Sequence, residues 1–401
     1  MEELLQHQQK VKVIGVAPDG ECLKSDEILK ADIIAGGRRI LNFFKSFKGE
    51  KVILDKKIRD KLQNLKKLKD KKIVILASGD PLFFGIGKLI IEIFGRDNVE
   101  FIPYLNSVQL LCSKFKINYE DFINVSVHGR EISNKIIGKI KYNKRIAVLL
   151  DKYNNINKLS EILLNYLDKN TEIILGQMLG TENERIVLTN LKSLKNIEPS
   201  ELDTILIFNK KPFKPISGID DNEFYYEKGL ITKREIRTIA ISQLDLEKNS
   251  VVWDIGAGSG AVSIEASTFS YLGNIYAIEK EKKRIELIKK NIEKFKCHNI
   301  SIINGSAPEC LKDIEKPDRV FIGGTKDLNN LLNFLYENTN SIIVANFVTI
   351  EKLNLFINFC KDKNLNFDIF SVHVANLNEI GNNHYFKSQN TVYICKTKLV
   401  R

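Results

Sequence analysis

Val251-Val252-Trp253-Asp254-Ile255-Gly256-Ala257-Gly258-Ser259-Gly260 is an apolar run that passes directly into three alternating glycines. The first five residues read as a buried strand, and the apolar stretch Ala261–Thr268 that follows reads as a helix. Glycines let a backbone turn sharply and approach a ligand closely, while a helix amino terminus offers unpaired amides and the positive end of a dipole. Strand, glycine loop and helix in this order predict an α/β fold with a nucleotide-like ligand at Gly256, Ala257, Gly258, Ser259 and Gly260.

The surroundings continue the pattern. A helix is expected over Lys233–Leu244 and another over Lys282–Phe295, with strands over Ser250–Ile255, Asn274–Glu279, Ile300–Asn304, Arg319–Ile322 and Ser341–Ala345. Two further strands, Phe367–Val374 and Thr391–Lys396, suggest a doubly wound, Rossmann-like sheet closed by an antiparallel pair. Glu279 ends the second strand about 20 residues after the glycine loop, the spacing at which an acid accepts ribose hydroxyls. The third strand leads into Asn304-Gly305-Ser306-Ala307-Pro308-Glu309, a turn placed to meet an adenine ring through Ser306 and Ala307. A GxGxG loop rather than GxGxxG, combined with that turn, favours S-adenosylmethionine over NAD, with Asp254 on the strand beside it.

The chain has 401 residues, enough for two cores. Its front part alternates helical stretches with strands over Val11–Val16, Asp32–Ala35, Ile73–Ala77, Val99–Ile102, Ile146–Leu150 and Ile173–Gln177, which predicts a mostly parallel sheet. Glycine-rich turns follow two of these strands: Gly15-Val16-Ala17-Pro18-Asp19-Gly20, and Ser78-Gly79-Asp80-Pro81. In an open α/β sheet ligands gather at the strand carboxyl ends, so both turns are expected at one cleft. Periodicity stops near Asn209, and the prolines at 212 and 215 mark a linker. The expected division is a first domain over 1–210, a linker over 211–222 and a second domain over 223–401.

Hydrophobic residues make up 43% and charged residues 28%, the balance of an ordinary globular protein. No apolar stretch is long enough for a membrane helix and the amino terminus is polar, so a cytoplasmic protein is expected. Six cysteines are scattered without a CxxC pair or a Cys/His cluster, which suggests reduced structural thiols and no metal site. The net charge is +11, of which residues 1–222 hold +8, so an anionic partner would favour the front half.

Methyl transfer from a sulfonium is an in-line displacement that needs proximity and alignment more than a nucleophile or a metal. After the strand Arg319–Ile322 the chain offers Gly323-Gly324-Thr325, with no acceptor side chain for an amine. An electron-rich carbon would need none, and no catalytic residue is assigned.

At this point the front part resembles the tetrapyrrole (corrin/porphyrin) methylase family, through Gly79-Asp80-Pro81, Asn106-Ser107, Ser126-Val127-His128-Gly129-Arg130 and Gly176 to Arg185. That family usually carries Gly-x-Gly-Pro-Gly in its first loop, where Ala17 and Asp19 stand here instead of glycines. The rear part is similar to the decarboxylating corrin methylases, through Gly229 to Arg237, the Gly256–Gly260 loop, Gly305 to Glu309 and Phe321 to Gly324. The resemblance implies S-adenosyl-L-methionine as co-substrate, held by Gly79, Asp80, Pro81 and Ser107 in front and by Thr232 with the loop residues behind. It also implies a bifunctional methyltransferase of cobalamin biosynthesis that methylates a precorrin, or its cobalt form, at carbons 5 and 15 and decarboxylates the ring C acetate. For such a polycarboxylate, Lys233, Arg234, Arg237, His128 and Arg130 are the expected clamps.

No nucleic-acid or membrane partner is expected, and a homo-oligomer of unspecified order is. The alternatives are an RNA methyltransferase, suggested by a pI near 9.1 but lacking an aromatic-rich basic stripe, and a chain with one active and one silent donor-binding domain.

Overall fold

A computed structural model describes residues 10–227 and 229–400. The chain divides into two units: one takes in the chain up to Glu131 with Arg145–Leu164 and Asp168–Asn209, the other Ile132–Lys144, Asn165–Leu167 and the chain from Lys210 onward.

In the first unit, β1 (Val11–Val16), β2 (Ile33–Gly36), β3 (Glu50–Ile53), β4 (Ile73–Ser78) and β5 (Val99–Ile102) form a wholly parallel sheet in the order β3-β2-β4-β1-β5. Period-two alternation covers both faces: Val13, Ile33 and Ile75 join one apolar cluster, Ile14, Ile34 and Val74 the other. A second sheet follows from β6 (Ile123–Ser126), β7 (Arg145–Leu149), β8 (Glu172–Gln177), β9 (Arg185–Asn190) and β10 (Asp203–Phe208), in the order β6-β7-β10-β8-β9. Here only β6 and β7 run parallel. The expectation of one mostly parallel sheet is therefore corrected for this half. The seven residues between β8 and β9 are too few for a crossover helix, which forces a hairpin.

In the second unit, β11 (Val252–Ile255), β12 (Ile275–Glu279), β13 (Ile300–Asn304), β14 (Arg319–Ile322) and β15 (Ile342–Phe347) are parallel. After β16 (Phe367–Val372), a separate hairpin of β17 (Ala375–Ile380) and β18 (Asn383–Ser388) precedes β19 (Val392–Lys398). The large sheet has the order β13-β12-β11-β14-β15-β19-β16, with β19 antiparallel to both neighbours. This is the doubly wound sheet with an antiparallel end that the sequence predicts. The strand order reverses at β11, so a crevice opens at its carboxyl end, where the glycine loop lies.

The helix Ala261–Phe269 behind the loop is buried from Ala261 to Thr268, which explains its apolar character on all sides. Residues 216–219, expected in a linker, are bound to it: Gly218 and Ile219 donate their amides to Glu265 at 3.0 Å each, and Ile216 donates to Thr268 Oγ1 at 3.0 Å. No helix among the described residues is long and apolar enough to cross a membrane.

Candidate active sites

The first unit's cleft is built where β1 and β4 end. A side chain at Gly15 would place its Cβ 2.0 Å from the Gly79 carbonyl oxygen and 2.5 Å from the Tyr104 amide nitrogen, so only glycine lets the two turns close together. Gly79, in the left-handed region at φ +61°, donates to the Val16 carbonyl at 2.9 Å, and its own carbonyl accepts from Tyr104 at 3.2 Å. Asp80 Oδ1 accepts from the Leu82 amide at 2.8 Å. Ser107 opens the helix Ser107–Phe115, which Asn106 and Gln109 cap reciprocally.

These turns border a cavity of about 350 Å³ lined by Gly79, Asp80, Ser107 and His128 among the expected residues. Pro81 and Arg130 do not line it. Pro81 is buried under the turn, where Cβ atoms at Gly85 and Gly87 would meet its carbonyl oxygen at 2.6 and 2.8 Å; Arg130 is exposed beyond the cavity. Pro81 lies within the turn, and the Arg130 carbonyl accepts from Asn154 Nδ2 at 2.8 Å within the loop while its side chain is exposed. That loop hangs from Asp151, which accepts from the amides of Gly129 at 2.6 Å, Tyr153 at 2.8 Å and Asn154 at 2.7 Å. Burial pushes the Asp151 carboxyl up, but these amides, with the nearby His128, hold it below the usual range. Sequence reasoning missed Arg39, a half-buried guanidinium at the cavity that reaches Ser78 Oγ at 3.4 Å.

The second unit's cleft encloses about 950 Å³. Thr232, Lys233, Asp254, Gly256, Ala257, Gly258, Ser259, Glu279, Ser306 and Ala307 line it, as their positions predict. Gly260 does not: at φ +76° it starts the helix, and its open side faces Ile288. The loop amides are also less available than expected. Gly256 and Ala257 donate to the Ile278 carbonyl at 3.0 Å each, Gly258 to Glu279 Oε2 at 2.9 Å and Gly260 to the Ala257 carbonyl at 2.8 Å. The loop thus contributes a close-fitting backbone wall more than a nest of free amides. Gly256, at φ +75°, has no room for a side chain, because a Cβ would lie 2.4 Å from the Gly324 carbonyl oxygen.

Two carboxylates supply the polarity. Glu279 is 4% exposed; besides Gly258, it accepts from the Lys280 amide at 2.9 Å and the Glu281 amide at 3.0 Å. Asp254 is 1% exposed, and its Oδ2 accepts from the Ser263 amide at 3.0 Å and hydroxyl at 2.5 Å, while Oδ1 has no partner among the described residues. Burial drives the Asp254 carboxyl up to about 6, against the Ser263 hydrogen bonds and with a smaller push from the charge of Glu279. A buried open acceptor beside a second carboxylate fits a ligand that carries hydroxyl or ammonium donors.

The expected substrate clamps on the helix Arg234–Gln243 fare differently. Lys233 lines the cleft but pairs with Asp221 at 3.4 Å. Arg234 is exposed outside the cleft. Arg237 is corrected to a structural role: it is fully buried, its Nε donates to Glu265 at 2.7 Å, and Nη1 donates to Asp221 at 3.1 Å and to the Thr232 carbonyl at 2.5 Å. Its Nη2 donates to the Ile219 carbonyl. A guanidinium with all sides engaged by the protein has none left for a ligand. Lysines that sequence reasoning missed do line the cleft, namely Lys280, Lys326, Lys352 and Lys387.

A doubly wound sheet with a glycine loop and an acid at the end of the next strand defines a nucleotide-cofactor-binding α/β unit, here joined to a second α/β unit with its own cleft. Residues 24–195 match the family of tetrapyrrole (corrin/porphyrin) methylases, and residues 223–398 match the precorrin methyltransferase domain. The chain is 27% identical over 351 residues to a precorrin-6Y C(5,15)-methyltransferase (decarboxylating) from Sinorhizobium, covering 84% of each chain. It is 35% identical over 179 residues to a probable cobalt-precorrin-6B C(15)-methyltransferase (decarboxylating) from Methanocaldococcus jannaschii, covering 44% of this chain and 96% of that one. A cobalt-precorrin-7 C(5)-methyltransferase from Salmonella typhimurium is 34% identical over 178 residues, covering 43% of this chain and 87% of its own. Among solved structures, a precorrin-6Y C5,15-methyltransferase from Geobacter metallireducens matches 46% of this chain and 99% of its own at 37% identity, with a TM-score of 0.44. The chain belongs to the precorrin methyltransferases, with a tetrapyrrole methylase part in front of a decarboxylating methylase part.

Proposed function

We propose that this chain is a bifunctional methyltransferase of cobalamin biosynthesis, which methylates a precorrin at carbon 5 in its first unit and at carbon 15 in its second, where it also decarboxylates the ring C acetate. The observation that carries this reading is that each unit has its own cleft at strand carboxyl ends, and each part separately matches a single-function relative at 34% and 35% identity.

In each cleft S-adenosyl-L-methionine supplies an activated methyl group. The chain's own residues do the rest. In the second unit, Glu279 and the open Asp254 Oδ1 accept hydrogen bonds from donor groups, and the Gly256 wall fixes how deep a ligand sits. Gly323 and Gly324 leave the acceptor side open without offering a base, which suits a carbon already electron-rich. Lys326, Lys352 and Lys387 set positive charge at the cleft, complementary to acetate and propionate arms. Carboxylate loss is helped by protonation of the conjugated macrocycle, which turns it into an electron sink.

The test is incubation of the purified chain with methyl-labelled S-adenosyl-L-methionine and either metal-free or cobalt-bearing precorrin, followed by product mass. A gain of two methyl groups with loss of one CO2 supports both assignments, and the preferred acceptor identifies the form used. No change in either acceptor refutes the reading.

A further inference from the structure

On the second unit's β15, Ile342 and Val344 face one apolar cluster, with Phe321 and Ile394, while Ile343, Ala345 and Phe347 face the other. Asn346 follows in the row of Ile342 and Val344, where a third aliphatic residue would complete the packing. It lies one position past the last β14–β15 pair, Ile322 with Ala345, and so stands level with the side-chain-free Gly323. The residue is half-buried, but its amide oxygen and nitrogen are shielded from water, and neither has a hydrogen-bond partner among the described residues. Asn346 nevertheless lines the cleft, beside the apolar Ile236, Phe321 and Val392.

A buried amide with both ends unpaired is costly, and native proteins rarely keep one without use. A leucine would fill the same space without that cost. Asn346 stands on the β14–β15 flank of the cleft, with Gly323, Gly324 and Lys326 following β14 and Lys352 on the next helix, whereas Glu279 and Ser306 belong to the other flank beyond β11. Lys352 Nζ donates to the Thr325 carbonyl at 2.9 Å and so ties that loop to the helix after β15.

We propose that Asn346 is the positioning residue for the acceptor in the second cleft, with Nδ2 donating to a carboxylate oxygen of one acidic arm. This rests on the reading of the acceptor as a tetrapyrrole polycarboxylate. The amide fixes the angle of the arm, and the lysines supply charge without direction.

The test compares the full chain with its Asn346→Leu and Asn346→Ala variants in C15 methylation, donor binding and melting. Loss of a hydrogen bond to a charged group predicts a rise in acceptor KM of about 10- to 100-fold. Donor affinity in the second cleft should stay unchanged, and Asn346→Leu should melt at or above the parent temperature, a combination that a merely structural residue would not give. The inference is overturned if KM and kcat for the acceptor are unchanged in both variants, if donor affinity falls in step with KM, or if both variants lose folding and turnover together. If the unmodified chain converts no precorrin, the reading of the acceptor fails first, and this inference with it.

Discussion

Arg237 offers the sharpest test, because sequence pattern and structure assign it opposite roles. Replacing it with methionine keeps an apolar stem of similar length but removes the donors to Glu265, Asp221, Thr232 and Ile219. Glu265 would then remain as a fully buried carboxylate facing only the amides of Gly218 and Ile219. Breaking a buried pair by removing one partner costs roughly 3–5 kcal/mol. At about 2–4 °C per kcal/mol for a domain of this size, the second unit should melt roughly 6–20 °C lower. Differential scanning calorimetry on the full chain reads this directly. Adding Glu265→Gln to Arg237→Met should recover part of the loss, since a neutral amide still accepts from Ile219 and no longer strands a charge. If Arg237→Met melts like the parent while its KM for the tetrapyrrole rises, the structural assignment is wrong and the side chain is a substrate clamp after all.

Three other expectations follow from the same cleft. Gly256→Ala puts a methyl group 2.4 Å from the Gly324 carbonyl oxygen at a positive φ, so it should abolish donor binding in the second cleft and lower melting, while Gly324→Ala, with open space around its Cβ, should be mild. Asp254 titrates near 6 when folded and near 3.8 when unfolded, so the stability tied to its proton is present in acid and lost as pH rises through 6; Asp254→Asn should flatten that slope and exceed the parent above pH 6 by roughly 2–3 kcal/mol in denaturant titrations. Glu279→Gln turns its amide nitrogen, a donor, toward either the Gly258 N–H or the Lys280 and Glu281 N–H groups, so calorimetric titration should find donor binding weakened about 10- to 100-fold in one cleft and unchanged in the other.

Much of the second unit was legible because its signals are local. The glycine loop, Glu279 and the Ser306–Ala307 turn sit at strand ends whose positions follow from short apolar runs, and ten of the expected ligand-facing residues do line the cleft. What sequence could not give was direction. Arg237 lies on the same helix as Arg234, but the helix turns Arg237 into the core and Arg234 toward solvent. Lys326, Lys352 and Lys387 carry no pattern that separates them from other surface lysines, since they meet only through the fold. Asn346 did leave a trace, as one polar residue breaking an aliphatic row. In the first unit the strands Arg185–Asn190 and Asp203–Phe208 were missed, the second although it is buried, because they pair antiparallel with no long crossover helix between them and so break the strand–helix alternation of the preceding chain.

The backbone contact between Gly256 and Gly324 gives the second cleft one rigid and one adaptable flank. Any residue larger than glycine at 256 would push apart the ends of two neighbouring strands, so the spacing of the cleft floor between β11 and β14 is set by main chain and tolerates little redesign. Across the opening, Lys387, Ser388 and Asn390 are exposed and make no such contact. Retuning this cleft for other patterns of acidic arms is therefore a matter for the 387–390 stretch, where side chains can be exchanged without disturbing the Gly256–Gly324 contact.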